Sequence, residues 1–278
     1  MPLQGEPVKR FRVRPDERVV LIDHDARDSG DYRSEAAAVE RTEHLRQQLA
    51  LLQERLYAEG TRSLLIVLQG IDTSGKDGTI RHVMGGINPQ GCAVTSFKEP
   101  TPLEASHDFL WRVHAACPAG GRIGLFNRSH YEDVLVPRLS GAIQGKEIQR
   151  RFDRIREFEK ALAEGGTRVL KFALHISKAE QKKRLLERLD DADKRWKFRA
   201  QDLEDRGRWE DYHQAFQEAI SATSTAEAPW YVIPADHKWY RNLIVAEHLV
   251  HALEKMDPQP PKAHALDWGA IRQQVEQA

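Results

Sequence analysis

The chain has 278 residues, 40% hydrophobic and 30% charged, a composition that excludes a disordered or fibrous protein. Lysine plus arginine and aspartate plus glutamate balance at 42 each, so no global charge draws the chain to nucleic acid or to an anionic membrane, and a polyanion site must come from local clustering. No stretch approaches the roughly 18 apolar residues of a membrane span, the polar start Met1–Arg14 lacks the apolar core of a signal peptide, and two cysteines, Cys92 and Cys117, give no disulfide framework; the expected location is the cytoplasm.

Residues 1–30 are polar with scattered Pro and Asp and read as an N-terminal arm. From Ser34 to Tyr57, Leu45, Leu49, Leu52 and Leu56 recur at helical spacing and predict one apolar stripe, closed by Gly60. That stripe could pack inside the fold or against a second copy of the chain. Leu64–Leu68 is a continuous apolar run, the pattern of a strand buried on both faces of a parallel sheet. Similar runs follow at Ala93–Phe97, Ile123–Phe126, Val169–Ile176 and Trp230–Ile233. Helical patterns alternate with them over Leu103–Ala116, Glu147–Glu164, Lys178–Leu189, Trp209–Ala222 and Trp239–Lys255. The alternation predicts an α/β domain over residues 31–256, with a five-stranded parallel sheet flanked by helices. Asp257-Pro258-Gln259-Pro260-Pro261 then stops the last helix and opens a C-terminal tail, residues 257–278.

Between the first strand and the helical stretch Lys76–Met84 lies Gly70-Ile71-Asp72-Thr73-Ser74-Gly75-Lys76, the Walker A spacing in its proper context. Gly70 and Gly75 allow the backbone to curl so that N–H groups face phosphate oxygens, the new helix presents its positive end, and Lys76 adds a full charge. The serine or threonine that usually follows the lysine and holds magnesium is Asp77 here. The metal contact is therefore expected at Asp72, because a carboxylate inside a phosphate nest is repelled unless a cation lies between. A turn-forming aspartate bonded to its own backbone is the plainer alternative.

Phe126-Asn127-Arg128-Ser129-His130-Tyr131-Glu132-Asp133 leaves the third strand at its carboxyl end, where open α/β sheets bind ligands. Arg128 suits a phosphoryl group in flight, since its planar fork stabilises charge spread over oxygens. Glu132 and Asp133 suit a magnesium ion or the orientation of an acceptor, against the plainer reading of an acidic helix start. His130 reads as a hydrogen-bonding neighbour, not a base. From Lys182 to Arg199 eight basic residues face four acidic ones, and Asp193–Phe198 interleaves cations with aromatics. This reads as a lid, about residues 178–207, that closes over phosphates, with Lys98 and Arg81 adding to the same anionic track. Aromatic content of 8% leaves no strip for stacking bases, which favours recognition of phosphate over nucleic acid.

With these pieces in hand the chain resembles the polyphosphate kinase 2 family. The matching stretches are Leu68–Gly78, Phe109–His114, Phe126–Val134, Lys194–Phe198 and Ala228–Ala235, collinear from about Arg12 to Met256. The resemblance implies a P-loop kinase fold like that of thymidylate kinases. It also implies magnesium- or manganese-dependent phosphoryl transfer between inorganic polyphosphate and adenine or guanine nucleotides, in a homo-oligomer of two or four chains. It makes Lys76, Arg128, Asp72 and Glu132 the catalytic set, with metal held by Asp72, Glu132 and Asp133. Phosphate and nucleotide contacts would come from Gly70, Thr73, Ser74, Gly75, Asp77, Gly78, Thr79, Lys98, Asn127, Arg188, Lys194, Arg195 and Lys197. Where some members carry Asp-Arg-Ser-x-Tyr-Asn, this chain has Asn127…Glu132, similar to the subgroup often called class III that accepts both AMP and ADP. An ATP-dependent nucleoside monophosphate kinase and a non-catalytic polyphosphate- or nucleotide-binding module are the rival readings.

Overall fold

The computed structural model describes residues 7–32, 34–262 and 266–278. A short helix, α1 (Pro7–Arg10), leads into an extended arm, followed by α2 (Glu35–Glu59), β1 (Ser63–Gln69) and α3 (Lys76–Val83). Next come β2 (Cys92–Ser96), α4 (Pro102–Ala105), α5 (Trp111–Ala116), β3 (Ile123–Asn127), α6 (Glu132–Leu139) and α7 (Lys146–Glu164). The chain continues through β4 (Thr167–His175), α8 (Lys178–Asp190), α9 (Gln201–Gly207), α10 (Trp209–Thr223), β5 (Trp230–Pro234), α11 (Lys238–Met256) and α12 (Trp268–Gln277). The five strands form one sheet in the order β2-β3-β1-β4-β5, every neighbouring pair parallel.

The continuous apolar runs are explained by the two cores they feed. Along β1, Leu64, Ile66 and Leu68 enter a core with α2 and α11, while Leu65 and Val67 enter the opposite one with α6, α7 and α10. Each fully buried aliphatic side chain contributes about 1.5–3 kcal/mol by leaving water. The expected α2 stripe buries Leu45, Leu49 and Leu56, but Leu52 is only partly covered. Gly60 ends the helix in the left-handed region at φ 72°.

Two expectations need correction. The run Ala93–Phe97 is not buried on both faces: β2 is an edge strand with Val94 51% exposed. The single helix expected over Leu103–Ala116 is two, because the Asp108 carboxylate accepts from Leu110 N at 3.0 Å and turns the chain between α4 and α5. Glu132 and Asp133 do open a helix, α6, in agreement with the plainer reading of that segment, and the helix contains Pro137. The C-terminal tail carries α12, started by the Asp267 carboxylate accepting from Ala270 N; residues 263–265 of the tail lie outside the described ones.

Of the expected arm, residues 1–6 also lie outside the described ones. The rest lies on the core. Val13 N donates to Trp230 O and Val232 N to Phe11 O, both at 2.9 Å, and Val13, Val19 and Leu21 are buried.

Candidate active site

The loop after β1 takes a conformation that its sequence allows and most would not. Gly70 has φ 155°, and a Cβ there would lie 2.7 Å from Leu174 O. Gly75 has φ 101°, and a Cβ there would lie 1.9 Å from Arg241 Nη1, so a guanidinium occupies the space that a side chain would need. Thr73 is left-handed without being glycine, at φ 65°. Lys76 opens α3 and folds back, its Nζ donating to Gly70 O at 2.7 Å and Ile71 O at 3.3 Å. Burial and then the neighbouring Arg128 charge lower its pKa to about 8, against the opposing pull of Asp72, Glu132 and Asp77. The hydroxyls of Thr73 and Ser74 are buried with no hydrogen-bond partner among the described residues. Thr79 turns its hydroxyl inward to Gly75 O at 3.1 Å, and Gly78 lies beside Arg241.

The second cluster leaves β3 beside this loop, because β3 pairs with β1 up to Leu68↔Asn127. Arg128 is left-handed at φ 62°, and its N–H donates to Leu68 O at 3.0 Å. Its guanidinium meets Glu132 Oε2 at 3.2 Å. The nearby Glu132 charge outweighs burial and raises the Arg128 pKa, with Tyr212 and Asp72 acting in the same direction. Lys76, Arg128, Asp72 and Glu132 thus lie within one another's fields at the carboxyl ends of β1 and β3. Asn127 Nδ2 donates to Asp77 Oδ1 at 2.8 Å, and Lys197 Nζ reaches Asp77 Oδ2 at 3.7 Å. Burial alone would raise the Asp77 pKa, but the Asn127 hydrogen bond and Lys197 hold it below the usual value. Asp133 is drawn to another place: its carboxylate accepts from Arg112 Nη2 at 2.9 Å, while Arg112 Nη1 donates to Lys98 O at 2.8 Å. The Lys98 side chain is exposed at the end of β2.

The basic segment folds as α8, a short turn at Arg195–Lys197 and α9. Arg188 ties it to the loop, Nη1 donating to Asp72 Oδ2 at 2.9 Å and to Asp202 Oδ2 at 3.2 Å. Lys197 reaches Asp77 as above. Lys194 pairs with Asp191 and Arg195 Nε donates to Leu189 O at 2.7 Å, so these two stay with their own segment. Trp196 is 77% exposed.

A family model described as polyphosphate kinase 2 matches residues 32–261. The chain belongs to the polyphosphate kinase 2 family. A protein of Meiothermus ruber named AMP/ADP-polyphosphate phosphotransferase is 51% identical over 256 residues, which is 92% of this chain and 96% of that one. An ADP-polyphosphate phosphotransferase of Rhodopseudomonas palustris is 41% identical over 96% of this chain and 98% of its own length. The crystal structure of polyphosphate kinase 2 from Arthrobacter aurescens TC1 superposes with a TM-score of 0.94 at 42% identity, covering 99% of this chain and 98% of that one.

Other residues of this polyphosphate kinase 2 site escaped the sequence reading. Arg184 Nη1 donates to Thr73 O at 2.9 Å and Ser74 O at 3.2 Å, and its Nη2 to Ala235 O at 2.6 Å. Arg241, from α11, donates to Ser74 O at 3.3 Å; burial, then Arg184, lowers its pKa to about 9. Arg184 was visible only as one charge in a basic run, and Arg241 carries no motif at all. Tyr212 is half-buried beside the Arg128–Glu132 pair, and burial followed by the Glu132 charge pushes its pKa far up. Asp202, 2% exposed, anchors Arg188.

The donors fit a hard, oxygen-seeking cation. No group of three or more His, Cys, Asp or Glu side chains gathers among the described residues, which disfavours an all-protein cage. Magnesium asks for only one or two carboxylates and takes its remaining oxygens from water and phosphate. Asp72 and Glu132, with two partnerless hydroxyls at Thr73 and Ser74, meet that requirement.

Proposed function

We propose that the chain reversibly transfers a phosphoryl group from inorganic polyphosphate to AMP and ADP, forming ADP and ATP. The observation that carries this reading is the convergence of Lys76, Arg128, Asp72 and Glu132 at the ends of β1 and β3. Two cations there await anionic oxygens, and two carboxylates stand ready for a metal. The Meiothermus ruber relative's name and the Asn127…Glu132 pairing support AMP and ADP as acceptors. A Pseudomonas aeruginosa relative, 31% identical, is named GDP-polyphosphate phosphotransferase, so guanine nucleotides belong in the same assay.

The terminal phosphoryl group of polyphosphate lies on the loop against Lys76. A phosphate oxygen of the acceptor attacks its phosphorus in line, and the bridging P–O bond breaks to release a chain one unit shorter. Lys76 and Arg128 stabilise the charge spread over the moving group, and the α8–α9 segment excludes water. The acceptor phosphate is already ionised near neutral pH, so no strong general base is required. Magnesium or manganese, when bound, would be held by Asp72 and Glu132 and would neutralise charge on the bridging oxygens. Asp133 is the less available third carboxylate, being engaged by Arg112. Arg188, which pairs with Asp72, would release that carboxylate as the lid rearranges. Gly70, Thr73, Ser74 and Gly75 line the phosphates. Arg188 and Lys197 reach the loop through Asp72 and Asp77, with Lys194, Arg195 and Lys98 further along the track. A homo-oligomer in the cytoplasm completes the reading; no helix among the described residues is long and apolar enough to cross a membrane.

The test is ATP formation from ADP with polyphosphate as sole phosphate donor. Lys76→Ala and Arg128→Ala should each lower turnover by about 10²–10³-fold. Near-normal turnover in either folded variant would overturn the scheme, and a requirement for ATP as donor would replace it.

A further inference from the structure

The amino-terminal end of the sheet, away from the catalytic loop, gathers a second set of cations. Arg12 from the arm, Arg168 from the start of β4 and Lys255 from the end of α11 line a recess of about 60 Å³, together with Lys9, His251 and the Tyr231 ring. No aspartate or glutamate among the described residues lines it. The recess is well separated from the site above. Arg168 pairs in register with Leu64, six residues before Gly70, which at about 3.3 Å per strand residue is roughly 20 Å.

Cations elsewhere in this chain are mostly paired. Arg10, two residues before Arg12, meets Asp28 at 2.7 Å, and Arg62 meets Glu59 at 2.6 Å. Among the described residues the Arg12 side chain has only a long contact, from Nη2 to Ala226 O at 3.4 Å, and its buried Nε meets no acceptor. Arg168 and Lys255 have no ion pair or side-chain hydrogen bond among the described residues. Arg12 pairs with Tyr231 through an antiparallel backbone bridge, and Arg12, Arg168 and Tyr231 line the same recess. Like charges facing a recess repel, and a buried guanidinium N–H without an acceptor carries an unrecovered desolvation cost. An anion with several oxygens removes both penalties. The recess has room for more than a single water, and its convergent cations suit one tetrahedral oxyanion.

We propose that this recess is a second anion site that takes a single phosphate group through Arg12 and Arg168, with Lys255 at its rim. Orthophosphate and a phosphate unit of a polyphosphate chain present the same oxygens to it. The site goes beyond the transfer reaction and does not rest on it.

The test is titration calorimetry on the full chain carrying Lys76→Ala and Arg128→Ala, which disables the catalytic loop, with orthophosphate and tripolyphosphate as separate titrants. Saturable binding should remain, and adding Arg168→Gln or Arg12→Gln should raise the dissociation constant about tenfold, the loss of one charge-assisted contact. Binding of orthophosphate comparable to that of tripolyphosphate identifies the free anion as the ligand; binding of tripolyphosphate alone identifies the chain. Melting without titrant guards against misfolding, and Arg168, which holds nothing in place, should leave it unchanged. Absence of binding in the parent, or binding unchanged by both substitutions, overturns the proposal. Because the readout needs no turnover, it fails separately from the transfer reaction.

Discussion

The two loops that meet at the carboxyl ends of β1 and β3 are held from beneath in opposite ways. Under the Gly70–Lys76 loop lie Arg184 and Arg241, which grip backbone oxygens of Thr73 and Ser74. Among the described residues Arg241 has no carboxylate partner; Asn242 Oδ1 accepts from it at 2.9 Å. Its charge therefore stays uncancelled behind the loop. Under the Arg128 loop lies a fully buried network whose charges cancel on the spot. Lys171 Nζ donates to Glu159 Oε2 at 2.5 Å, Tyr131 Oη at 3.0 Å and Thr223 O at 2.7 Å. The Tyr131 hydroxyl donates to Glu159 Oε1 at 2.9 Å, and His130 Nε2 lies 3.2 Å from the same oxygen. The loop proposed to hold phosphate is backed by surplus positive charge acting through the backbone. A loop that carries its own Arg128–Glu132 pair is set on a neutral foundation. Changes under the first should therefore move ligand binding, and changes under the second should move stability.

The largest effect is expected under the Arg128 loop. Glu159→Ala leaves the Lys171 ammonium buried without its counter-charge, and the loss should reach about 3–5 kcal/mol in denaturant unfolding. Replacing both partners by apolar residues, Glu159→Leu with Lys171→Met, should recover most of that loss, because a buried ion pair is expensive to break and cheap to replace whole. A Glu159→Ala protein as stable as the parent would end the claim that this network is the loop's foundation.

A smaller effect is expected under the catalytic loop. Arg241→Met removes a donor to Ser74 O and also a desolvated cation, so the two changes in unfolding free energy partly offset. Polyphosphate binding loses a positive charge behind the nest, and the KM for polyphosphate should rise about tenfold. The comparison breaks if Arg241→Met destabilises as much as Glu159→Ala while leaving that KM in place.

This contrast was only half legible in the sequence. The strands were readable because burial on both faces leaves continuous apolar runs, and β2 misled because an edge strand can carry the same residues half exposed. Lys76, Asp72, Arg128 and Glu132 could be found because each belongs to a compact motif whose spacing reflects a loop geometry. Arg184 and Arg241 could not, since a charge on a helix looks the same in sequence whether it faces water or a backbone carbonyl in another element. The same holds for Lys171, which sits in the middle of an apolar strand: the run around it said that the strand was buried, and nothing local said that Glu159 and Tyr131 would meet it there. Asp133 shows the reverse case. Its place in the motif suggested metal, whereas the tertiary fold brought Arg112 to it.

The smallest and most specific effect is a pH dependence that separates the two functions of Lys76. Its pKa lies near 8 in the folded chain, below the usual 10.5, because burial and Arg128 disfavour the charged form. As pH rises through 8 the free enzyme loses the charge proposed to meet the terminal phosphoryl group, so kcat/KM for polyphosphate should fall by about half between pH 7 and pH 8, about fivefold from pH 8 to pH 9 and about tenfold per unit beyond. Stability should move the other way. Between the folded value near 8 and the unfolded value of 10.5 the unfolded chain binds more protons, so this group makes the fold more stable as pH rises across that window and less stable as pH falls back through it. Lys76→Arg keeps the charge to higher pH and should flatten the alkaline limb of kcat/KM, whatever it does to the maximum, because a guanidinium resists deprotonation. An alkaline limb unchanged in Lys76→Arg would assign the titration to another group and leave the surplus charge behind the loop, at Arg241, as the one to test next.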